Sequence, residues 1–200
     1  MNHYFKSNEN LKNKETEIEY VYKLTRFNFF TNIGVFSKGG VDFATNILLE
    51  KLPDLSGNIL DLGCGYGCIG IVLAKIHGGN SNIKVVMSDV NERALELAAK
   101  NAKKNGVNVN ILKSDGFENI TGYFDGIILN PPIHAGKAVV YKIYEEVFEH
   151  LNKDGRFFIV IHKKHGALSH RQKLEEIFGA ENCSGLYSKK GLYIFEMKRR

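Results

Sequence analysis

The stretch "ILDLGCGYGCIG", residues 59–70, contains a hydrophobic run, a set of alternating glycines and the start of a helical pattern. Gly63, Gly65 and Gly67 allow the backbone to turn tightly and to approach a ligand closely. A buried strand that leads through such a loop into a helix is typical of doubly wound α/β folds, whose ligands bind beyond the carboxyl ends of parallel strands. We therefore expect a ligand site at this loop.

Strand-like hydrophobic runs recur along the chain, with helical patterns between most of them. Asn91 is suited to cap one of these helices, and Gly106 is suited to end it. The alternation predicts an α/β protein with a doubly wound, mostly parallel sheet and helices on both faces. The predicted strands cover residues 57–63, 83–90, 107–115, 123–130, 155–162 and 192–198, and the predicted helices cover residues 67–77, 91–105, 137–151 and 168–179.

The chain of 200 residues is long enough for one domain with a sizeable core. Residues 1–36 lie outside the strand–helix repeat and are predicted to be an N-terminal extension that packs on the core, while residues 37–200 form a single domain. The first 20 residues are polar, and no apolar run approaches the roughly 20 residues that cross a bilayer. We expect a cytoplasmic protein and favour a monomer.

The charge and the cysteines restrict the possible partners. A net charge of +5 is compatible with a polyanionic partner but does not require one. Basic residues cluster in "HKKHG" at 162–166, at 189–190 and at 198–200. The three cysteines form no C-x-x-C pair, so buried or half-buried thiols are expected. No metal site is predicted, because His162 and His165 have no partners at ligand spacing.

Two interpretations of the glycine loop compete. Gly65-x-Gly67-x-x-Gly70 matches the dinucleotide-binding fingerprint, and Asp89 follows at the end of the second strand, where an acid binds ribose hydroxyls. Asp61, however, stands two residues before the first glycine, and its carboxylate would repel a pyrophosphate and attract a ligand with a free amino group. S-adenosylmethionine carries such an amine and no phosphate.

Acidic residues follow three successive predicted strands. Asp61 and Asp89 fit an amino group and a ribose, respectively, and Asp115 in "KSDGF" is suited to bind the adenine amine. Solvation of a surface does not by itself explain three acids at three strand ends. Together they favour S-adenosylmethionine over NAD as the cofactor.

The stretch "FDGIILNPPIHAGK", residues 124–137, ends a hydrophobic strand with two adjacent prolines. Proline stops the strand and holds Asn130 extended beside the predicted cofactor pocket. The Asn130 carboxamide oxygen and the Pro131 carbonyl can each accept a hydrogen from an exocyclic amine and so aim its lone pair at a methyl donor, while Pro132 locks the corner. The sequence predicts catalysis by positioning and electrostatic preorganisation.

These motifs resemble class I S-adenosylmethionine-dependent methyltransferases that modify exocyclic amines. More narrowly, "FFTNIGVFSKGGVDFATNILLEKL" (residues 29–52) and "NPPIHAGK" (residues 130–137) resemble the RsmC-type family of small-subunit (16S) rRNA guanine-N2 methyltransferases and their single-domain relatives. The resemblance covers residues 22–200. It implies a seven-stranded sheet with an antiparallel last strand, and it makes residues 37–200 a methyltransferase domain.

The resemblance also implies a set of substrate contacts. It places residues 34–38 over the active site, with Phe36 and Lys38 near cofactor or RNA. The residue after Asn-Pro-Pro is often aromatic and stacks on the target base, whereas this chain has Ile133, so Phe36 or His134 is expected to contribute the remaining contact. An RNA substrate would have to unstack its base to enter the site. The cations predicted at the entrance are Lys38, Lys137, Lys163, Lys164 and Arg171.

Three functions remain open from the sequence. The favoured one is methylation of guanine N2 in small-subunit rRNA, on free RNA or on the assembled subunit. The second uses the same Asn-Pro-Pro corner on a DNA or RNA adenine or on a protein glutamine. The third is a non-catalytic RNA-binding module, against which the presence of Asp61, Asp89 and Asn130 argues.

Overall fold

The computed structural model describes residues 15–32, 40–78 and 82–200, and within these ranges it contains nine strands and five α-helices. The strands are β1 (Glu15–Tyr22), β2 (Thr25–Asn32), β3 (Gly57–Leu62), β4 (Ile83–Asp89), β5 (Asn110–Lys113), β6 (Phe124–Leu129), β7 (Leu151–His162), β8 (Cys183–Lys189) and β9 (Leu192–Lys198). The helices are α1 (Phe43–Lys51), α2 (Cys68–His77), α3 (Glu92–Asn105), α4 (Lys137–His150) and α5 (Ala167–Phe178).

Seven of the strands form one sheet in the order β5-β4-β3-β6-β7-β9-β8. β9 is antiparallel to β7 and β8, and the other neighbouring pairs are parallel. The chain builds outward from β3 to β5 and then returns to the other side of β3, so the strand order reverses between β3 and β6. Ligands bind at such a switch point, beyond the carboxyl ends of the strands. The predicted fold class is confirmed.

Hydrophobic layers cover both faces of the sheet. Successive strand residues point to opposite faces, so Ile59 belongs to a layer under α1, α2 and α3, while Leu60 belongs to a layer under α4 and α5. On β7 the same alternation separates Phe158 from Phe157. The two layers confirm that helices lie on both faces.

The helix boundaries follow local capping signals. The side chain of Asn91 accepts a hydrogen bond from the Arg93 N–H at the start of α3, and Gly106 ends the helix with φ of 67°. This agrees with the predicted cap and stop. α4 ends one residue earlier than predicted, because Leu151 has extended backbone and begins β7.

The sequence patterns do not predict β8 as a separate strand. Its sequence, "CSGLYSK", contains small and polar residues and lacks a clear apolar alternation. β8 lies at the edge of the sheet and pairs only with β9. A strand at an edge needs less apolar surface than a central strand, because part of it faces solvent.

A β1–β2 hairpin packs on α3 through two asparagines. Asn101 accepts a hydrogen bond from the Phe30 N–H (2.7 Å) and donates to the Phe30 carbonyl (3.0 Å). Asn105 forms the same pair of bonds with Asn28, at 3.1 and 2.8 Å. Residues 15–32 of the proposed extension are thus tied to the core. Residues 1–14 and the proposed boundary at residue 36 lie outside the described residues, so this division of the chain stays a prediction.

The cysteines agree with the sequence prediction. Cys64, Cys68 and Cys183 are free thiols, with Cys68 buried and the other two half-buried. Burial raises the pKa of all three. In the part of the chain that the structure describes, no helix has both the length and the apolar character to span a bilayer.

Candidate active site

The glycine loop between β3 and α2 uses its glycines for two different reasons. Gly63, Gly65 and Gly67 have φ of 68°, 57° and 89°, in the left-handed region where other residues are strained. A Cβ at Gly63 or Gly65 would meet no atom within 4 Å, so the loop backbone is open toward the switch point. A Cβ at Gly67 would lie 3.0 Å from Ile71 Cδ1, so Gly67 is also needed for packing.

Asp89, at the end of β4, anchors this loop. Its Oδ2 accepts a hydrogen bond from the Gly65 N–H at 2.9 Å, and its Oδ1 accepts one from the Asn91 N–H at 2.9 Å. Burial raises the pKa of the carboxyl, although these two bonds favour its charged form. The structure thus brings Asp89 into contact with the glycine loop, where the sequence predicts the cofactor ribose.

Asp61 lies beneath the loop and is only 1% exposed. Its Oδ2 accepts a hydrogen bond from the Gly70 N–H at 2.8 Å. Burial, and secondarily the nearby charge of Asp89, raises the pKa of Asp61 to about 7. A cation bound at the loop would favour the charged carboxylate, and the contact of Asp61 with an amino group remains a prediction.

The fourth glycine of the loop motif has a packing role. A Cβ at Gly70 would lie 2.4 Å from Met87 Sδ, because α2 packs directly against β4. One glycine of the dinucleotide fingerprint is therefore required for the packing of α2 on β4, whether or not a pyrophosphate binds at the loop. The helix α3 supports the same loop, since Asn101 Nδ2 donates to the Tyr66 carbonyl at 2.9 Å.

Asp115 lies at the same edge of the sheet but is exposed. The preceding residue, Ser114, donates its N–H to the Asp89 carbonyl at 3.1 Å, which places the two loops side by side. Within the described residues, the Asp115 side chain makes no hydrogen bond. It is therefore available to a ligand, and its contact with adenine remains a prediction.

The Asn-Pro-Pro corner follows β6, the neighbour of β3. Asn130 Nδ2 donates a hydrogen bond to Thr45 Oγ1 on α1 at 3.3 Å. This bond orients the carboxamide, and no other described residue bonds to the Asn130 side chain, so Oδ1 remains as an acceptor. The Pro131 carbonyl accepts the Ile133 N–H at 2.9 Å in a tight turn around Pro132. A carbonyl has two lone pairs, so Pro131 keeps one acceptor position.

Thr45 is a site residue that the sequence analysis misses. It is buried on the first turn of α1, where Asp42 Oδ1 accepts hydrogen bonds from the Ala44 and Thr45 N–H groups. Thr45 and Asn130 are separated by 85 positions. No local signal links them, and only the placement of α1 against the sheet brings them together.

The predicted substrate-binding residues come from two loops that meet beside this corner. The rings of His134 and His165 are 6.2 Å apart, and Lys137 Nζ donates to Ser169 Oγ at 3.4 Å. Lys163 and Lys164 are exposed in the loop after β7. Partial burial, together with Lys164, His162 and His134, lowers the pKa of His165.

Two of the remaining predicted residues make contacts of their own. Arg171 pairs with Glu175 on its own helix, with Nε 2.7 Å from the carboxylate. Ile133 is half-buried and packs against the layer under α4 and α5. Phe36 and Lys38 lie outside the described residues. Among the described ranges, no cluster of three or more His, Cys, Asp or Glu side chains is arranged to hold a metal ion.

Several curated proteins are similar to this chain in sequence. An uncharacterised Bacillus subtilis protein, YbxB, is 42% identical over 98% of both chains. The ribosomal RNA small subunit methyltransferases C of Aeromonas hydrophila and Shewanella piezotolerans are 40% and 33% identical over 64% and 80% of this chain. The chain spans 37% and 46% of their lengths, so it corresponds to less than half of each.

A solved structure and a family model extend this similarity to the fold. The Thermus thermophilus 16S rRNA N2 G1207 methyltransferase RsmC, solved with AdoMet and guanosine, matches 98% of this chain and 53% of its own, with 28% identity and a TM-score of 0.82. The family model of the methyltransferase small domain matches residues 26–196. The chain therefore belongs to the methyltransferase small-domain family, and the predicted class of S-adenosylmethionine-dependent methyltransferases is confirmed.

Proposed function

We propose that this protein methylates the exocyclic N2 amine of a guanosine in small-subunit (16S) rRNA. The observation that carries the proposal is the Asn130 side chain, whose amide nitrogen is held by Thr45 at the end of the strand next to the glycine loop. Support comes from the names of the relatives, which act on small-subunit rRNA, and from the guanosine bound by the Thermus thermophilus protein.

The residues of the glycine loop fit the cofactor. Gly63 and Gly65 leave open space, and the buried Asp61 carboxyl suits a cationic amino group. S-adenosylmethionine supplies an electrophilic methyl group on its sulfonium. Asp89 would accept hydrogen bonds from the ribose hydroxyls, and Asp115 would accept one from the adenine amine. These contacts would hold the cofactor beside the Asn-Pro-Pro corner.

The corner supplies the positioning that this reaction needs. The lone pair of a guanine N2 amine is delocalised into the ring, so the free amine is a poor nucleophile. Asn130 Oδ1 and the Pro131 carbonyl would accept its two hydrogens and turn the lone pair toward the methyl donor. A carbon–nitrogen bond forms as the carbon–sulfur bond breaks, and the methylated amine then releases one proton to water.

The substrate surface is basic and lies next to this corner. Lys137, Lys163 and Lys164 would contact phosphates around a target base that has left its stack. His134 would lie near that base, and Ile133 would give it apolar contact only. Phe36 and Lys38 are proposed to complete the site from the segment before α1.

Two measurements on the purified chain test the proposed function. Calorimetric titration is expected to detect S-adenosylmethionine and S-adenosylhomocysteine but not NAD. Labelled methyl transfer is expected into unmodified 16S rRNA, free or assembled into small subunits, with N2-methylguanosine as the product nucleoside. Transfer only to adenine or to a protein glutamine would overturn the substrate, and cofactor binding without any transfer would favour a non-catalytic RNA-binding module.

Replacing Thr45 by valine is expected to lower kcat for methyl transfer by about three- to tenfold. Valine has the shape of threonine but cannot accept the Asn130 Nδ2 hydrogen bond, which is worth about 1 kcal/mol. The KM for S-adenosylmethionine should not change. Thr45→Ser, which keeps the hydroxyl, should stay near the wild-type kcat. Equal values of kcat for the two variants would remove Thr45 from the positioning of Asn130.

A further inference from the structure

An exposed aromatic ring lies on the first turn of α1, the helical turn that also carries Thr45. Phe43, the first residue of α1, is 47% exposed, and it is the one phenylalanine among the exposed large hydrophobic residues of the described ranges. It stands two residues before Thr45, which holds the Asn130 amide. The Asp42 cap fixes this first helical turn, so the backbone of Phe43 is held in a defined position relative to Thr45.

The turn between β8 and β9 brings one lysine to this ring. Lys190 Nζ lies 6.0 Å from the centre of the Phe43 ring. The next residue, Gly191, accepts a hydrogen bond from the Lys163 N–H at 2.8 Å, so the turn is joined to the basic loop after β7. The clusters at 162–166 and 189–190, which are separate in the sequence, therefore form one surface.

The cations of this surface have no acidic partners. Lys137, Lys163, Lys164, Lys189 and Lys190 form no ion pair with any described residue. Elsewhere in the described ranges, some lysines, such as Lys100, Lys104, Lys113 and Lys173, are paired with glutamates, whereas others, such as Lys84 and Lys103, are not. A row of unpaired lysines is complementary to a chain of phosphates.

We propose that Phe43 and Lys190 bind a second nucleotide of single-stranded RNA, next to the target guanosine. The base of this nucleotide would stack on the Phe43 ring, and its phosphate would contact the Lys190 ammonium. Aromatic rings beside cations bind unstacked bases in this way, with little preference for sequence. The inference rests on the proposed function, because it takes the occupant of Asn130 to be a base in RNA.

The test uses the full chain, saturated with S-adenosylhomocysteine, and a short fluorescein-labelled single-stranded RNA that contains one guanosine. Anisotropy titration of Phe43→Leu is expected to show at least about a fivefold loss of RNA affinity, since stacking contributes about 1–3 kcal/mol per base. Phe43→Tyr keeps the ring and should bind like the wild type. Lys190→Gln should reduce the salt dependence, d log K/d log[salt], by about 0.7, the value for one phosphate contact of a single strand.

The matched controls are Tyr123→Leu and Lys153→Gln. Tyr123 is exposed just before β6 and Lys153 is exposed near the start of β7, at the edge of the sheet opposite to the site. Both should leave RNA binding unchanged. Loss of S-adenosylhomocysteine binding in Phe43→Leu would indicate a folding defect. The salt dependence of RNA binding by Lys190→Gln would then decide whether the second nucleotide site exists.

The outcomes separate the inference from the proposed function. If the wild type transfers methyl groups to RNA but Phe43→Leu and Lys190→Gln bind RNA as their controls do, the second nucleotide site is overturned and the proposed function stands. If the wild type does not bind the single-stranded RNA, the inference also falls. Methyl transfer to the ribosomal subunit then decides the proposed function independently.

Discussion

Replacing Asn130 by alanine is expected to lower kcat for methyl transfer by at least about a hundredfold, while the affinity for S-adenosylmethionine stays within a few-fold of wild type. The size of the effect follows from enzymes in which one preorganised hydrogen-bonding group has been removed, where kcat falls by about 10²–10³. Within the described residues, the Asn130 side chain is hydrogen-bonded only to Thr45, so its truncation breaks none of the hydrogen bonds that Asp61 and Asp89 make to the glycine loop and α2.

Single-turnover transfer into unmodified rRNA and calorimetric titration of the cofactor together measure this prediction. Asn130→Asp is the matched control, because it keeps an acceptor oxygen at the same position and should retain more activity than Asn130→Ala. A variant that loses cofactor binding but transfers normally at saturating cofactor would show that Asn130 belongs to the cofactor pocket and that the clamp assignment is wrong.

The parts of this site that the sequence predicts depend on signals between residues close in the chain. Three features follow from short patterns that each have one physical cause. The glycine loop needs a tight turn, the Asn91 cap pairs a free N–H group, and Gly106 ends α3 in a left-handed backbone position. Asp89 and Asn130 are found for a similar reason, because each stands at the end of a hydrophobic strand. In a parallel sheet, strand ends meet at one edge.

The parts that the sequence does not predict depend on residues far apart in the chain. Thr45 and Asn130 lie 85 positions apart, and Asn101 and Phe30 lie 71 positions apart. The hydrogen bonds within these two pairs form only after the helices have packed on the sheet and the hairpin. The joining of residues 162–166 to residues 189–190 has the same origin, since it depends on the pairing of β7 with β9. The sequence analysis treats these clusters as separate for that reason.

Asp61 shows how burial changes the meaning of a residue. The sequence suggests a carboxylate that attracts an amino group, and the structure shows that this carboxyl is buried, with its pKa raised to about 7. Near neutral pH such a group is partly protonated without a ligand, and a bound cation would favour its charged form. The side chain can therefore contribute to cofactor binding through the charge that it acquires there.

Replacing Asp89 by alanine is expected to weaken the binding of S-adenosylmethionine by at least about tenfold. Two contributions are lost together. The Gly65 N–H loses the acceptor that orients the loop, and the ribose loses a carboxylate that can accept both of its hydroxyls. Hydrogen bonds to charged groups contribute about 1.5–3 kcal/mol each, so the loss of either contribution is enough to give this effect.

Asp89→Asn separates the two contributions. Its amide oxygen can still accept the Gly65 N–H, so the glycine loop should keep this anchor. Its amide nitrogen can accept neither the Asn91 N–H nor a ribose hydroxyl. Calorimetric Kd values for wild type, Asp89→Ala, Asp89→Asn and the control Glu149→Ala, which removes an exposed carboxylate at the end of α4, measure the result. If Asp89→Asn binds as weakly as Asp89→Ala while its thermal unfolding matches wild type, the ribose contact dominates. If Asp89→Asn binds S-adenosylmethionine like wild type, Asp89 acts only as a loop anchor. Unchanged binding of S-adenosylmethionine by Asp89→Ala would show that Asp89 does not belong to the cofactor site.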